Sequence, residues 1–295
     1  MDGGERQPGN AARIEPYRVL PLRPALVRAF SVPGCRAVYA VTFGIDGNAL
    51  AAADGNGRTY LWDLVGGGLA GTFAHPGGRR VLGVAFDPDG DLLAVADGHG
   101  RAYLWDLVSG ELARTFVPRR SGGLNGVAFG LGGDLLAAAS GNGHVYLWDV
   151  VSGQIAGTYV IPGHTTVYGV TFGPEGAILA ASCGNGWVYL WDMATRALIG
   201  AFVGPSSRGV NDVTFGPGGT VLAGPTVTAG SSCGMWRAEA WPVPSRIPAA
   251  RALTASRSVT RVPCWLRPTV TARCTSGMWR AGGWPVPSPI PPAAA

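Results

Sequence analysis

The phrase YLWD begins at Tyr60, Tyr103, Tyr146 and Tyr189, at a constant spacing of 43 residues. Around it, four whole segments align without a gap, from Val38, Val81, Leu124 and Val167. A fifth opens at Val210 as VNDVTFGPGGTVLA and loses the pattern after Ala223. A fixed period of this length means that one supersecondary unit is copied and that neighbouring copies bury each other's apolar faces.

Within a unit, short β-rich runs alternate with glycine-rich turns. In the first unit Val38–Phe43, Ala49–Ala53, Thr59–Asp63 and Leu69–Phe73 read as four strands. GIDG, DGNG and VGGG between them are turns, because glycine tolerates the positive φ of tight hairpins. The apolar runs are nearly continuous, as expected of strands covered on both faces.

Four strands per unit of this length, with Trp-Asp ending the third, resemble the WD-repeat β-propeller family. The matching pairs are Trp62-Asp63, Trp105-Asp106, Trp148-Asp149 and Trp191-Asp192, and FDPDG (Phe86–Gly90) and FGPEG (Phe172–Gly176) resemble the family's F-x-P-D-G turn. The resemblance implies an all-β propeller of four-stranded antiparallel blades over 26–223. Four blades are complete, near 38–73, 81–116, 124–160 and 167–202, and a fifth is truncated at 210–223. Residues 1–25 are expected to form a flexible leader. By the family's topology Leu26–Phe30 is a free outer strand that completes the last blade. The family's Gly-His pair survives only as Gly163-His164, and its turn aspartate is replaced by Asn56, His99, Asn142 or Asn185. The resemblance therefore implies an incomplete Asp-His-Ser/Thr-Trp hydrogen-bond network.

Two texts near the C-terminus keep the same period in another vocabulary. TVTAGSSCGMWRAEAWPVPS (226–245) returns 43 residues later as TVTARCTSGMWRAGGWPVPS. Written in G/C-rich codons, Pro263–Ala272 reads Val-Leu-Ala-Ala-Ala-Asp-Gly-Asn-Gly when the frame starts two bases later. That is nearly the repeat's own second strand and turn. The expectation is that 224–295 is a frameshifted continuation of the repeats, read as an irregular, disordered Pro/Ala/Arg-rich tail.

This origin changes what the charge means. The chain is +5 overall and contains no lysine, but eight arginines and one glutamate fall after Ala223, leaving −2 for the remainder. The basicity that would suggest nucleic acid thus lies in the tail, and nucleic acid is not expected as a partner. Five cysteines show no zinc-ligand spacing, and no apolar run reaches membrane-spanning length. A membrane is not expected as a partner, and the location read is a reducing cytoplasm. Arginine without lysine, beside abundant Ala and Gly, points to a G+C-rich bacterial genome.

No nucleophile–base pair, metal set or phosphate loop stands out, so no catalytic residue, cofactor or metal is expected. Asp87–Asp91 (DPDGD) lacks the downstream glutamate of a calcium loop. The links between units, in contrast, are rewritten in every copy: AHPGGRR, VPRRSGG, VIPGHTT and VGPSSRG. By the family's topology they rim one face, where loops on a rigid scaffold bind partners. The candidate protein-binding rim is Tyr39, His75, Arg79, Arg80, Leu82, Arg119, Arg120, Asn125, His164, Tyr168, Arg208 and Asn211. The resemblance implies a non-catalytic scaffold for other proteins or peptides, a remnant of a multidomain bacterial signalling protein, self-associating where its ring stays open. The competing reading is a hydrolase- or lactonase-type propeller enzyme, in which Asp212 is the charged residue of the innermost strands. Sequencing the gene across the Ala223–Pro225 codons tests the frame: restoring one base should continue the Trp-Asp series at the same period. Stop codons in that frame would end the idea.

Overall fold

The computed structural model describes residues 26–31, 34, 37–119, 122–203, 209–216, 221–225, 233–237, 272–273 and 279–282. The leader and most of the tail lie outside the described residues. Contacts divide the chain into two units, Met1–Phe30 with Arg280–Ala295, and Ser31–Trp279. In the first, β1 (Leu26–Phe30) pairs with β22 (Trp279–Gly282) as a two-stranded sheet. The sequence had placed β1 on the last blade. Both strands are short, and strand edges left open by a sheet tend to pair.

The second unit holds the repeats as successive antiparallel sheets. Blade one is β2 (Ala37–Phe43), β3 (Ala49–Asp54), β4 (Arg58–Asp63) and β5 (Leu69–Ala74). Blade two is β6 (Val81–Phe86), β7 (Leu92–Asp97), β8 (Ala102–Asp106) and β9 (Leu112–Phe116). Blade three is β10 (Leu124–Phe129), β11 (Leu135–Ser140), β12 (His144–Asp149) and β13 (Ile155–Val160). Blade four is β14 (Val167–Phe172), β15 (Ile178–Cys183), β16 (Trp187–Asp192) and β17 (Leu198–Val203). The four strands read from the first unit's sequence match β2 to β5 within one residue at each end. A two-residue strand, β21 (Ala272–Arg273), adds to the inner edge of blade one beside Ala37 and Val38.

The fifth sheet goes further than the sequence pattern does. Its strands are β18 (Thr214–Phe215), β19 (Val221–Pro225) and β20 (Cys233–Arg237). Leu222 lies opposite Trp236, as Leu179 lies opposite Trp191 in blade four. The tail's GMWR thereby takes the register of YLWD, two residues later than the period would put it.

Each second strand is buried on both faces. From Leu50 to Asp54, Leu93 to Asp97, Leu136 to Ser140 and Leu179 to Cys183 every residue is buried. Ala51 and Ala53 pack with Phe73, Val81, Leu93 and Val95, which belong to the junction of blades one and two. Trp148 and Leu136 of blade three likewise join Ala94, Leu104 and Phe116 of blade two. Alanine suits this strand because the next blade's larger side chains fill the space above it.

The innermost strands come closer still. A Cβ on Gly83 would lie 2.7 Å from the Gly126 Cα, and one on Gly126 would lie 3.0 Å from the Tyr168 carbonyl. Glycine is therefore required where β6, β10 and β14 converge on the axis. Gly83→Ala should destabilise the protein by about 1–3 kcal/mol through overpacking. Gly68→Ala, where an added Cβ meets nothing within 4 Å, should stay within about 0.5 kcal/mol. Thermal or denaturant melts check both, and equal effects would contradict the packing described.

Candidate functional site

First and third strands start, and second and fourth strands end, at one end of every blade, here the upper end. It carries the turns between second and third strands and the rewritten links. Near the start of each innermost strand the register slips by one residue: between Val38 and Ala40, Val81 and Gly83, Leu124 and Gly126, and Val167 and Gly169. The skipped residues are Tyr39, Leu82, Asn125 and Tyr168. A bulge takes a residue out of the ladder and re-aims its side chain, so each blade presents one variable residue at an equivalent upper position.

The rings and chains so released lie over the adjacent turn. A Cβ on Gly55 would be 3.2 Å from the Tyr39 ring, one on Gly184 would be 3.4 Å from the Tyr168 ring, and one on Gly98 would be 3.8 Å from Leu82. Asn125 reaches across a junction, donating from Nδ2 to the Val167 carbonyl at 2.7 Å. Tyr168 remains 37% exposed. Arg79, Arg80, Arg119 and His164 are exposed, Asn211 is half-buried, and Arg120 and Arg208 lie outside the described residues.

His75 departs from the rim expectation, because it is buried and 4% exposed. Its Nε2 lies 2.9 Å from the Thr59 Oγ1 of blade one, and the Trp105 Nε1–H of blade two donates to its Nδ1 at 3.1 Å. Indole is only a donor, so Nδ1 must carry a lone pair and Nε2 the proton, donated to Thr59. The ring is thereby fixed as neutral. Desolvation, partly opposed by Asp97, pushes its pKa down to about 4. Tyr103 stacks on the ring at 5.3 Å. A Thr-His-Trp linkage therefore joins blades one and two through a histidine outside the Gly-His pair. His164, in that pair, instead adopts φ of 50° and sets its ring 5.9 Å from His144.

The turn residues explain the missing family aspartate. In blades one and two, Asp54 and Asp97 each accept from two turn amides and from the hydroxyls of Tyr60 and Tyr103 at 3.1 Å. Desolvation and Asp54 push the Tyr60 phenol up to about 12. In blades three and four the partner is amide nitrogen, donated by Asn142 to Tyr146 and by Asn185 to Tyr189 at 2.7 and 3.2 Å. The Trp-Asp aspartates have a different task at the lower end. Asp106, Asp149 and Asp192 accept from the amides of Ser109, Ser152 and Thr195, bonds that hold their carboxyls below the usual range. Their tryptophans pack between blades: Trp148 on Phe116, Trp105 on Phe73 and Trp191 on Tyr159.

Asp212 sits at the start of the fifth innermost segment. Water reaches the residue, yet its carboxyl lies against Gly169 and near Ser182, and desolvation raises its pKa to about 6. Its Oδ1 accepts from the Val213 amide at 2.8 Å. Among the described residues no group of three or more His, Cys, Asp or Glu side chains could hold a metal. The lower end holds a feature missed from the sequence, a cavity of about 300 Å³ into which Phe43, Phe86, Phe129 and Phe172 face. The signal was present: phenylalanine closes the innermost strand in every copy.

The WD40 family, described as WD domain, G-beta repeat, matches residues 67–106, 110–149 and 156–192. The chain carries three WD40 repeats. Among solved structures, 1847 chains match. One is the crystal structure of the Myceliophteria thermophila Cps50 (Swd1) beta-propeller domain, at 20% identity and a TM-score of 0.59. The alignment covers 68% of this chain and 65% of that one, so the chain spans slightly less than two thirds of that structure. The likeness shows a β-propeller fold. No curated protein matches. No helix among the described residues is long and apolar enough to cross a membrane.

The His75 linkage has a pH signature. Unfolded histidine titrates near 6.5, whereas folded His75 titrates near 4. As pH falls below 6.5 only the unfolded chain gains this proton, so stability is lost until about pH 4, by about 3 kcal/mol in total. Above that window the linkage is at full strength. His75→Ile alone should abolish this dependence and destabilise by about 1–3 kcal/mol by leaving the Thr59 hydroxyl and the Trp105 indole unpartnered. Adding Thr59→Val should recover the part of the loss due to Thr59 and keep the dependence flat. Melts across pH 4 to 7 check this, and an unchanged slope in the double variant would refute it.

Proposed function

We propose that the chain is a non-catalytic interaction scaffold whose upper end receives other proteins or peptides. The observation that carries this reading is the recurrence of a bulged, variable residue at Tyr39, Leu82, Asn125 and Tyr168. A rigid ladder holds each one in place while its identity changes from blade to blade. Arg79, Arg80 and Arg119, all exposed on the neighbouring links, add positive charge to that rim. Aromatic anchors beside arginines make strong contact residues in protein interfaces.

A cytoplasmic setting in a bacterium with a G+C-rich genome belongs to the same reading. It is supported by the lysine-free composition and by Cys183, a buried free cysteine whose thiol burial pushes up to about 12. Descent from a multidomain signalling protein rests on the resemblance alone. Self-association is supported by the fifth sheet, which among the described residues has three strands and ends on β20.

One observation favours an enzyme, the raised pKa of Asp212 beside Ser182. The Ser182 hydroxyl is engaged by the Gly169 amide at 3.0 Å, and no histidine accompanies the pair among its hydrogen bonds. The scaffold reading predicts that peptides selected from a random display library will lose at least about tenfold in affinity in a Tyr39→Ala, Tyr168→Ala variant. The melting temperature should change little. Selection of no peptide, or full retention of binding, would sink the reading. Hydrolytic turnover abolished by Asp212→Asn would replace it with the enzyme.

A further inference from the structure

The two ends of the second unit differ in charge as well as in shape. Four phenylalanines, Phe43, Phe86, Phe129 and Phe172, each closing an innermost strand, line the lower cavity of about 300 Å³ together with Ile45 and Leu131. Ile45 is 73% and Leu131 62% exposed, so apolar surface at this mouth faces water. A cavity of this size and apolar lining, with few polar groups, is of the kind that receives a ligand group.

The charged group here is Asp87. It lines the cavity, is 5% exposed, and uses Oδ1 to accept from the Leu92 amide at 2.9 Å. Among the described residues it has no cationic partner. A buried carboxylate beside apolar rings is costly unless a cation joins it. Its surroundings repeat that sign. Every charged residue in the lower turns between first and second strands is acidic: Asp46, Asp87, Asp89, Asp91, Asp134 and Glu175. All but Asp87 are exposed. Two lower-end arginines are engaged elsewhere, Arg114 on the Val151 and Ser152 carbonyls and Arg196 on the Ala156 carbonyl.

We propose that this lower mouth is a second docking site, which takes an arginine or lysine projecting from a basic segment of another protein. The aliphatic stem lies on the phenylalanine rings, where a cation is also attracted to the ring faces. The charged head pairs with Asp87, and flanking basic residues meet the exposed carboxylates of the turns. This site is independent of the upper rim, about 13 Å away along each innermost strand from bulge to phenylalanine.

Fluorescence anisotropy on the whole chain tests it with two labelled probes, Gly-Ser-Arg-Leu-Arg-Ser-Gly and its counterpart with glutamate for arginine. The arginine probe should bind, weaken several-fold as salt rises from about 50 mM to about 300 mM, and leave the glutamate probe unbound. Asp87→Asn, which keeps an oxygen for the Leu92 amide, should weaken binding at least about tenfold. Leu131→Ser, at an exposed position that leaves the fold intact, should weaken it several-fold. Tyr168→Ala should leave it unchanged. Absence of binding, equal binding of both probes, or full affinity in Asp87→Asn would overturn the proposal. So would displacement of the probe by micromolar calcium, which would mark a cation site, or by unlabelled chain, which would mark stacking between copies.

Discussion

The whole architecture depends on strands that are covered on both faces. β3, β7, β11 and β15 carry mostly Ala, Leu and Val, with every residue after the first buried. No four-stranded sheet can cover both of its own faces, so each blade folds only against the next. Alanine and glycine make this possible at close range, and Phe73, Phe116, Tyr159 and the Trp-Asp tryptophans fill the wider outer part of each junction. The taper from small inner residues to large outer ones is what turns a stack of sheets around an axis.

That geometry also divides the chemistry between two ends. Each strand reversal falls at an upper or a lower position, so a residue type repeated in one turn of the motif becomes a ring on one face. The carboxylates between first and second strands collect at the lower mouth, while the rewritten links gather arginines and histidines above. The Trp-Asp aspartates belong to the lower end, yet their role is local. Asp149 holds the Ser152 amide at 2.6 Å and fixes the turn that lets β13 return antiparallel to β12.

Strand positions were legible in the sequence because glycine turns and a gapless period mark them twice over. The bulges were not legible, although the residues they present were. Tyr39, Leu82, Asn125 and Tyr168 stand among the rim candidates from the sequence, but a one-residue slip in register leaves no mark in composition. The lower cavity was overlooked for the opposite reason. Its phenylalanines never vary, and an invariant apolar residue in a repeat reads as core until the strand is seen to end at an open mouth. His75 was misplaced on the rim because a histidine between Ala74 and Pro76 looks like loop, and only the junction shows it covered. The third strand of the fifth sheet lay behind a tail whose text no longer matches the repeat, although its Trp236 keeps the pairing with Leu222.

The junctions also show how a repeat protein changes one copy without breaking the stack. The second residue of the link is buried at each junction the structure describes: His75, Pro118 and Ile161. The third-strand residues 43 positions apart that start beside it are Thr59, Ala102 and Val145, all fully buried. In blade one the pair is polar on both sides, and Thr59 and His75 satisfy each other. In the next two blades both members are apolar, and Val145 and Ile161 share one cluster. A mixed pair would bury the hydroxyl, or the Nε2–H of the imidazole, without a partner, at a cost of about 1–3 kcal/mol. The two positions therefore have to change together, and the polar version adds what the apolar one lacks. It holds blade two in a fixed orientation through the Trp105 indole and makes that single junction sensitive to protons.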